Sequence, residues 1–458
     1  MGSPYRAPGR CPPVDLRDPG RGESLHRVTT SASPRPPDPA DDGAVTVVRR
    51  ARVPGHDGAV DIVMSGGRIR SVGAPAPAGA PGTDAGDRLV VGGLVDAHLH
   101  LDKALTADRC SWSGGTVDDA MAETAAMKAD FTVEDVAARA GAVLASCVAH
   151  GTTRVRTHVE LDPTVGRRGL EGVLAAAAEW AWAVDVEVCV FAQDGLTGSP
   201  ETARLLDEAL GGARAAGRRA VVGGAPYADD DPAGQLDRVF GLAADHDADV
   251  DLHLDLFDGT AEGALIGTLC DLTERAGLGG RVTAGHGTAW SFLEPDRRAA
   301  VLDRCAGTGV GVVSLPSTDL FLTGRETGAG APRGVVVLDR LVERDAAAAV
   351  ATNNVRNAFT PYGDGSLVRM ANLYANLTHQ ASPEQLAACL DLVGPRAARV
   401  LGTPAAATGV VAGAPADLVC LDAPDPGTAV AAVAPVRWVL KGGRRTVSGA
   451  AVELHPPV

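Results

Sequence analysis

An α/β fold is predicted for this chain: a (β/α)8 TIM barrel carrying a small β-sandwich built from both termini. Three observations carry that expectation. About eight apolar β-like runs alternate with alanine-rich helical stretches through the middle of the 458 residues, the pattern of a parallel barrel whose strands are each followed by a helix. Short strands with Gly turns flank that middle on both sides, which suits one small sheet domain assembled from the two ends. Imidazoles and carboxylates cluster where the middle runs stop, and barrels carry their chemistry at strand C-terminal ends.

The tail comes first. Residues 1–42 are rich in Pro, Arg, Gly, Ser and Asp, lack apolar periodicity and read as disordered. Strands follow at Val45–Arg49, Asp61–Ser65 and Ile69–Val72, the last two joined by Gly66-Gly67. Their counterparts are Asp417–Leu421, Val436–Lys441 and Arg445–Val447. The predicted sandwich therefore takes 43–88 plus 406–458, and the barrel takes 89–405. Barrel strands are expected at Leu89–His100, Thr153–Leu161, Val184–Gln193, Ala220–Pro226, Ala248–Asp255, Arg281–Gly287, Val310–Leu315 and Ala348–Asn354. Helices are expected between them, for example Gly169–Ala183, Thr202–Ala216 and Ala261–Ala276.

Composition narrows the partners. Hydrophobic content of 45 % and charged content of 22 % are those of a globular chain. Aromatics are only 3 %, so Ala, Val and Leu must build the core. A net charge of −15 repels nucleic acid and anionic membranes. The expected partner is a small-molecule substrate, and a homo-oligomer is compatible with the sequence. The eight cysteines are scattered with no CxxC pair and read as reduced thiols of a cytoplasmic protein. No apolar run is long enough to span a bilayer, and the N-terminus lacks the apolar stretch of a secretory signal.

The strand ends are uneven in a useful way. His98-Leu99-His100 closes the first run. Side chains alternate along a strand, so the two imidazoles share a face and can chelate one divalent cation. A pair of core histidines is the competing reading. The second run ends with His158 and Glu160, the third with Gln193 and Asp194, the fifth with His253 and Asp255, the sixth with His286, and the eighth with Asn353 and Asn354. Five histidines gathered at one barrel mouth favour a metal site over five separate structural roles. Lys103 follows the first run directly and is one of only three lysines among 42 Lys and Arg residues. It can hold an anionic substrate group or supply a proton, against the alternative of a solvated loop charge. Three features are discounted. Gly223-Gly224 reads as close packing, Asp229-Asp230-Asp231 as a turn or helix cap, and Leu315–Asp319 as a segment that shapes the pocket without dictating chemistry.

The run Gly92-Gly93-Leu94-Val95-Asp96-Ala97-His98-Leu99-His100-Leu101-Asp102 resembles the opening motif of the amidohydrolase superfamily, in its cytosine deaminase-like branch. Arg156–Val159, Phe191–Gly195, Asp251–Asp255 and Val282–His286 match further segments in order, and Gly413–Val419 resembles the return into the sandwich. The resemblance implies one divalent metal ion per chain, Zn or Fe, held by His98, His100 and His253. It implies that His286 steadies the attacking water or the tetrahedral intermediate, and that Gln193 reads the amide-like edge of a ring. Asn353 falls on the position of a metal-binding aspartate, and Leu256 on that of a catalytic glutamate. A dinuclear branch requires a carboxylated lysine on the fourth strand, and Ala220–Pro226 contains none.

The expected activity is thus hydrolysis of a non-peptide C–N bond in a small cyclic amide or amidine by metal-activated water. With Leu256 and Asn353 in place, another carboxylate must move the proton. Asp255 is best placed by alternation, with Glu160 and Asp194 as further candidates and a purely structural role for Asp255 as the competing reading. His158, Lys103 and Asn354 complete the expected substrate-binding set. The alternative is an atypical member that uses the barrel for non-hydrolytic chemistry or for ligand binding.

Overall fold

The structure, a computed structural model, describes residues 44–112, 115–257, 263–325, 333–404 and 407–449. All of them lie in the unit Pro37–Val458, and the tail expected over 1–42 lies outside them. Five strands open the described chain: β1 (Thr46–Arg52), β2 (Ala59–Ser65), β3 (Arg68–Val72), β4 (Gly82–Asp84) and β5 (Leu89–Gly92). Eight follow with helices between most of them: β6 (Leu94–Leu99), β7 (Thr152–Glu160), β8 (Asp185–Ala192), β9 (Val221–Gly224), β10 (Asp249–Leu254), β11 (Val282–His286), β12 (Val310–Ser314) and β13 (Ala348–Val350). The last three are β14 (Leu418–Leu421), β15 (Val436–Lys441) and β16 (Arg444–Ser448).

The second set forms one parallel sheet in sequence order, β6 to β13. Leu99 and Asn353 form a parallel bridge between its two edges. The His100 amide donates to the Asn353 carbonyl and the Asn353 amide to the His98 carbonyl, each at 2.8 Å, which draws the sheet into a barrel. Every residue of β6, β10 and β11 is buried. A parallel sheet covered on both faces demands that, which is why these strands read as continuous apolar runs. The covering helices include Arg168–Trp180, Pro200–Ala215 and Ile266–Ala276, near their expected positions. Residues 261–262 of the third expected helix lie outside the described residues. Asp231 caps the helix Pro232–His246 by accepting the Gly234 amide, while Asp229 accepts the amides of Leu196 and Thr197, so this acidic triplet is helix and loop architecture.

The remaining strands form the sandwich sheet, ordered β16-β15-β14-β5-β1-β2-β3 with β4 beside β1. Residues distant in sequence meet here: β14 runs antiparallel to β5, with Val419 opposite Val91. Val48, Ile62, Ile69, Val90, Leu418 and Trp438 lie in its separate core.

One element differs from the sequence expectation. The run Leu89–His100 is two strands, one in each sheet, divided at Gly93. A Cβ at Gly92 would lie 2.2 Å from the Thr408 carbonyl oxygen, and one at Gly93 would lie 2.0 Å from Thr153 Oγ1. Only glycine lets the chain pass between these neighbours as it changes sheets. Gly223 has a similar cause, since its Cβ would sit 2.2 Å from the Asp251 carbonyl oxygen.

Candidate active site

Three non-glycine residues at the C-terminal mouth of the barrel adopt left-handed backbone: Asp255 (φ +53°), His286 (φ +77°) and Asn353 (φ +61°). Asp, His and Asn tolerate this region better than most residues, and such strain, about 1–3 kcal/mol per residue, concentrates at functional sites.

His98 and His100 project from the end of β6 and its following turn, and His253 from β10. The His98 and His253 Nε2 atoms lie 3.2 Å apart, and those of His100 and His253 lie 2.9 Å apart. Burial and neighbouring imidazoles hold all three pKa values well below the usual imidazole range, with Lys103 adding to the shift at His100 and His253, so the rings are neutral. Neutral imidazoles present lone pairs, and a Zn²⁺ ion bound tetrahedrally at about 2.0–2.1 Å would separate its nitrogens by about 3.3 Å. The His98–His253 and His100–His253 separations each suit nitrogens that share one divalent cation. Asn353 adds a buried carboxamide whose oxygen and nitrogen both lack a partner among the described residues. Its oxygen is a hard, neutral donor for the same ion.

His158 belongs to a deeper layer. Period two along β7 puts Arg156, His158 and Glu160 on one face, and Glu160 ends the strand. His158 therefore stacks beneath His98, with ring centroids 3.8 Å apart, and places Nε2 3.2 Å from Asp251 Oδ1. Asp251 also accepts from Arg156 Nη1 at 2.9 Å, and Arg156 Nε donates to Glu187 at 2.6 Å. His158 also offers a ligand atom within 4.8 Å of those of His98 and His253, while its ring stacks on that of His98 at an interplanar angle of 26°. His158, expected to contact substrate, is not among the residues that line the cleft.

Above the imidazoles lies a narrow cleft. Lys103, Gln193, Leu256, His286, Asn353 and Asn354 line it, as do Tyr227, Thr318 and Phe359. Gln193 Nε2 donates to Tyr227 Oη at 3.3 Å. Asn354 accepts from Asn357 Nδ2 at 2.7 Å, which orients its amide. His286 Nδ1 lies 2.6 Å from Asp319 Oδ1. Burial raises the Asp319 carboxyl above its ordinary range, with the imidazole opposing that shift. A carboxylate on Nδ1 selects the ring tautomer and leaves Nε2 for the cleft. Asp319→Asn is expected to lower turnover about 10–100-fold while folding normally, measured as kcat with circular dichroism as control.

Lys103 is not a solvated loop charge. It is 2 % exposed, sits 5.3 Å from the ring centroids of both Phe191 and Phe359, and lies 3.4 Å from Glu160. The other Glu160 oxygen bonds Lys128 Nζ at 2.6 Å, and Lys128 also pairs with Asp162 and Asp194. Burial alone would lower the Lys128 pKa, but the three carboxylates outweigh it and hold the ammonium charged. Burial pushes Glu160 up to about 7, against the pull of the two lysines. Asp194 is committed to Lys128 rather than to the cleft.

Asp255, expected beside His253 as a proton carrier, lies just past its strand. Strand β10 ends at Leu254, and the left-handed turn at Asp255 breaks the alternation that would have placed it beside His253. Its carboxylate accepts from Trp290 Nε1 at 2.6 Å and from the Leu265 amide at 2.8 Å. It braces the loop behind the cleft and is not among the lining residues.

Asp319, Lys128 and Tyr227 were not singled out by sequence. Asp319 lies in the segment read from sequence as pocket-shaping, and Lys128 is another of the chain's three lysines.

With this geometry in hand, residues 117–447 match the model of the Amidohydrolase family. The chain is 29 % identical over 367 residues to a pterin deaminase of Rhizobium rhizogenes, covering 79 % of this chain and 82 % of that protein. It is 29 % identical over 410 residues to an N-isopropylammelide isopropyl amidohydrolase of a Pseudomonas species, covering 87 % and 96 %. Among solved structures it is similar to a 5-methylcytosine deaminase from Klebsiella pneumoniae liganded with 5-fluorocytosine, with a TM-score of 0.83, 26 % identity and coverage of 90 % and 99 %. An eight-stranded barrel with five clustered imidazoles, a sandwich joined from both sequence ends and a family match over most of its length together show that this chain belongs to the amidohydrolase family.

Proposed function

We propose that this protein is a cation-dependent hydrolase that cleaves a non-peptide C–N bond of one small nitrogen heterocycle. The gathering of the His98 and His100 Nε2 atoms about that of His253 at the floor of the cleft carries this reading. These three residues, with the Asn353 carboxamide, would hold one Zn²⁺ or Fe²⁺, which when bound supplies acidified water at neutral pH. His286, oriented by Asp319, receives a proton from the attacking water through Nε2 and steadies the oxygen that develops charge. Gln193 and Asn354 read donor and acceptor positions on the ring edge. His286 passes the proton it takes from the water to the leaving nitrogen as the C–N bond breaks, which leaves its ring neutral again, and the Lys103 ammonium, 3.4 Å from the Glu160 carboxylate, faces the ring. The relatives named above act on pterin, an ammelide and a cytosine, which supports a small nitrogen heterocycle. The free thiols among the described residues suit a cytoplasmic site. No described helix is long and apolar enough to cross a membrane. We assign the boundary between sandwich and barrel to Gly93, so that β5 joins residues 43–88 and 406–458.

A second reading is favoured by the two neutral positions, Leu256 and Asn353: a cation-bearing member that binds its ring without hydrolysing it. Elemental analysis with a panel of pyrimidines, triazines and pterins separates the two. The expected result is about one Zn or Fe per chain and release of ammonia or an alkylamine. A loaded protein inert to the whole panel supports the second reading, and full turnover without metal overturns the first.

A further inference from the structure

The described residues that line the cleft include no Asp or Glu. They bring instead one ammonium (Lys103), three carboxamides (Gln193, Asn353 and Asn354), and three imidazoles of His100, His253 and His286. Asn353 Nδ2 is buried and lacks a protein partner. Lys103 Nζ has three N–H donors, and its one carboxylate neighbour, Glu160, stands 3.4 Å away with its other oxygen bonded to Lys128. One carboxylate is thus shared between two ammonium groups, and it lies behind Lys103 rather than in the cleft. Asp319 likewise stands behind His286, on Nδ1.

A divalent cation held by neutral donors keeps its full double charge. A cleft with that floor, one lysine in the wall and unpaired N–H groups is complementary to negative charge in a medium that screens it weakly. The preference is local, because the chain as a whole carries a net charge of −15.

We propose that the cleft takes its heterocycle as an anion, carrying a carboxylate or an ionised ring oxygen, rather than as a neutral amide. Lys103 and Asn353 Nδ2 are the groups that receive the anionic oxygen. This rests on the cation-site reading above and extends it to the class of substrate.

The test is calorimetric binding to the zinc-loaded full chain near neutral pH, with two matched pairs of rings. One pair is pyrimidine carboxylate against pyrimidine carboxamide; the other is barbiturate, ionised at that pH, against uracil. The expected result is that the anion binds at least about tenfold more tightly in one pair, and the pair that responds tells a carboxylate from an ionised ring oxygen. Lys103→Met is expected to abolish that preference, and Asn353→Asp, which keeps the backbone and the volume, to reverse it. Equal affinity within both pairs, a preference for the neutral rings, or binding of neither member overturns the proposal. Amine release is measured separately. A protein that prefers anions without releasing amine keeps this inference and removes the hydrolase reading, whereas hydrolysis of neutral rings without charge preference does the opposite.

Discussion

His253→Ala is expected to fold normally and to lose its cation. Metal content should drop from about one ion per chain to almost none, and turnover should fall on the order of a thousandfold, the rate equivalent of several kcal/mol of lost charge stabilisation. His253 is chosen because its Nε2 is the atom shared by both close contacts, 3.2 Å to His98 and 2.9 Å to His100. Removing it leaves two imidazoles and a carboxamide, too few donors for a closed site. Elemental analysis of the purified variant beside the wild type reads the first effect, and steady-state kinetics reads the second. Retention of one tightly bound ion would show that the ion sits elsewhere and would remove the basis of the proposed mechanism.

Arg156→Met is expected to destabilise the fold by about 3–5 kcal/mol, because it strips the cation from a carboxylate that has no access to water. Asp251 is fully buried, and Arg156 reaches it at 2.9 Å while holding Glu187 at 2.6 Å. Denaturant midpoints at constant slope measure the loss. The double variant Arg156→Met/Asp251→Asn should recover much of it, since a neutral amide is far cheaper to bury unpaired than a charge. Metal affinity should weaken as well, because Asp251 also contacts the His158 ring on which His98 stacks. A loss below about 1 kcal/mol would mean that the pair is worth no more than an exposed one.

These effects separate what was readable along the chain from what was not. The barrel strands were readable because a parallel sheet buried on both faces demands long apolar runs, and Val282–His286 or Val310–Ser314 can serve no other purpose. His98 and His100 were readable as a pair because strand alternation is a rule of the backbone itself. The same rule does not reach Asp255, which follows the strand. One residue in left-handed conformation ends the alternation, and nothing local in Leu254-Asp255-Leu256 announces that turn. Nor does the rule give the depth of His158, since the depth of a residue depends on where its strand ends relative to its neighbours. Register between β7 and β8, with His158 beside Cys189, is a property of the sheet and not of either strand.

Sequence alone determined the fold class, the assembly of a sandwich from two distant segments, and the imidazole inventory at the strand ends. All of these follow from periodicities set by backbone geometry. Tertiary structure alone decided which carboxylates serve which partners: Asp319 on His286, Glu160 between Lys103 and Lys128, Asp251 under His158, and Asp255 on Trp290. Each of those pairings joins residues on different strands or loops. A buried charge takes whichever partner the packed core brings within about 3–4 Å, and that choice is made in three dimensions.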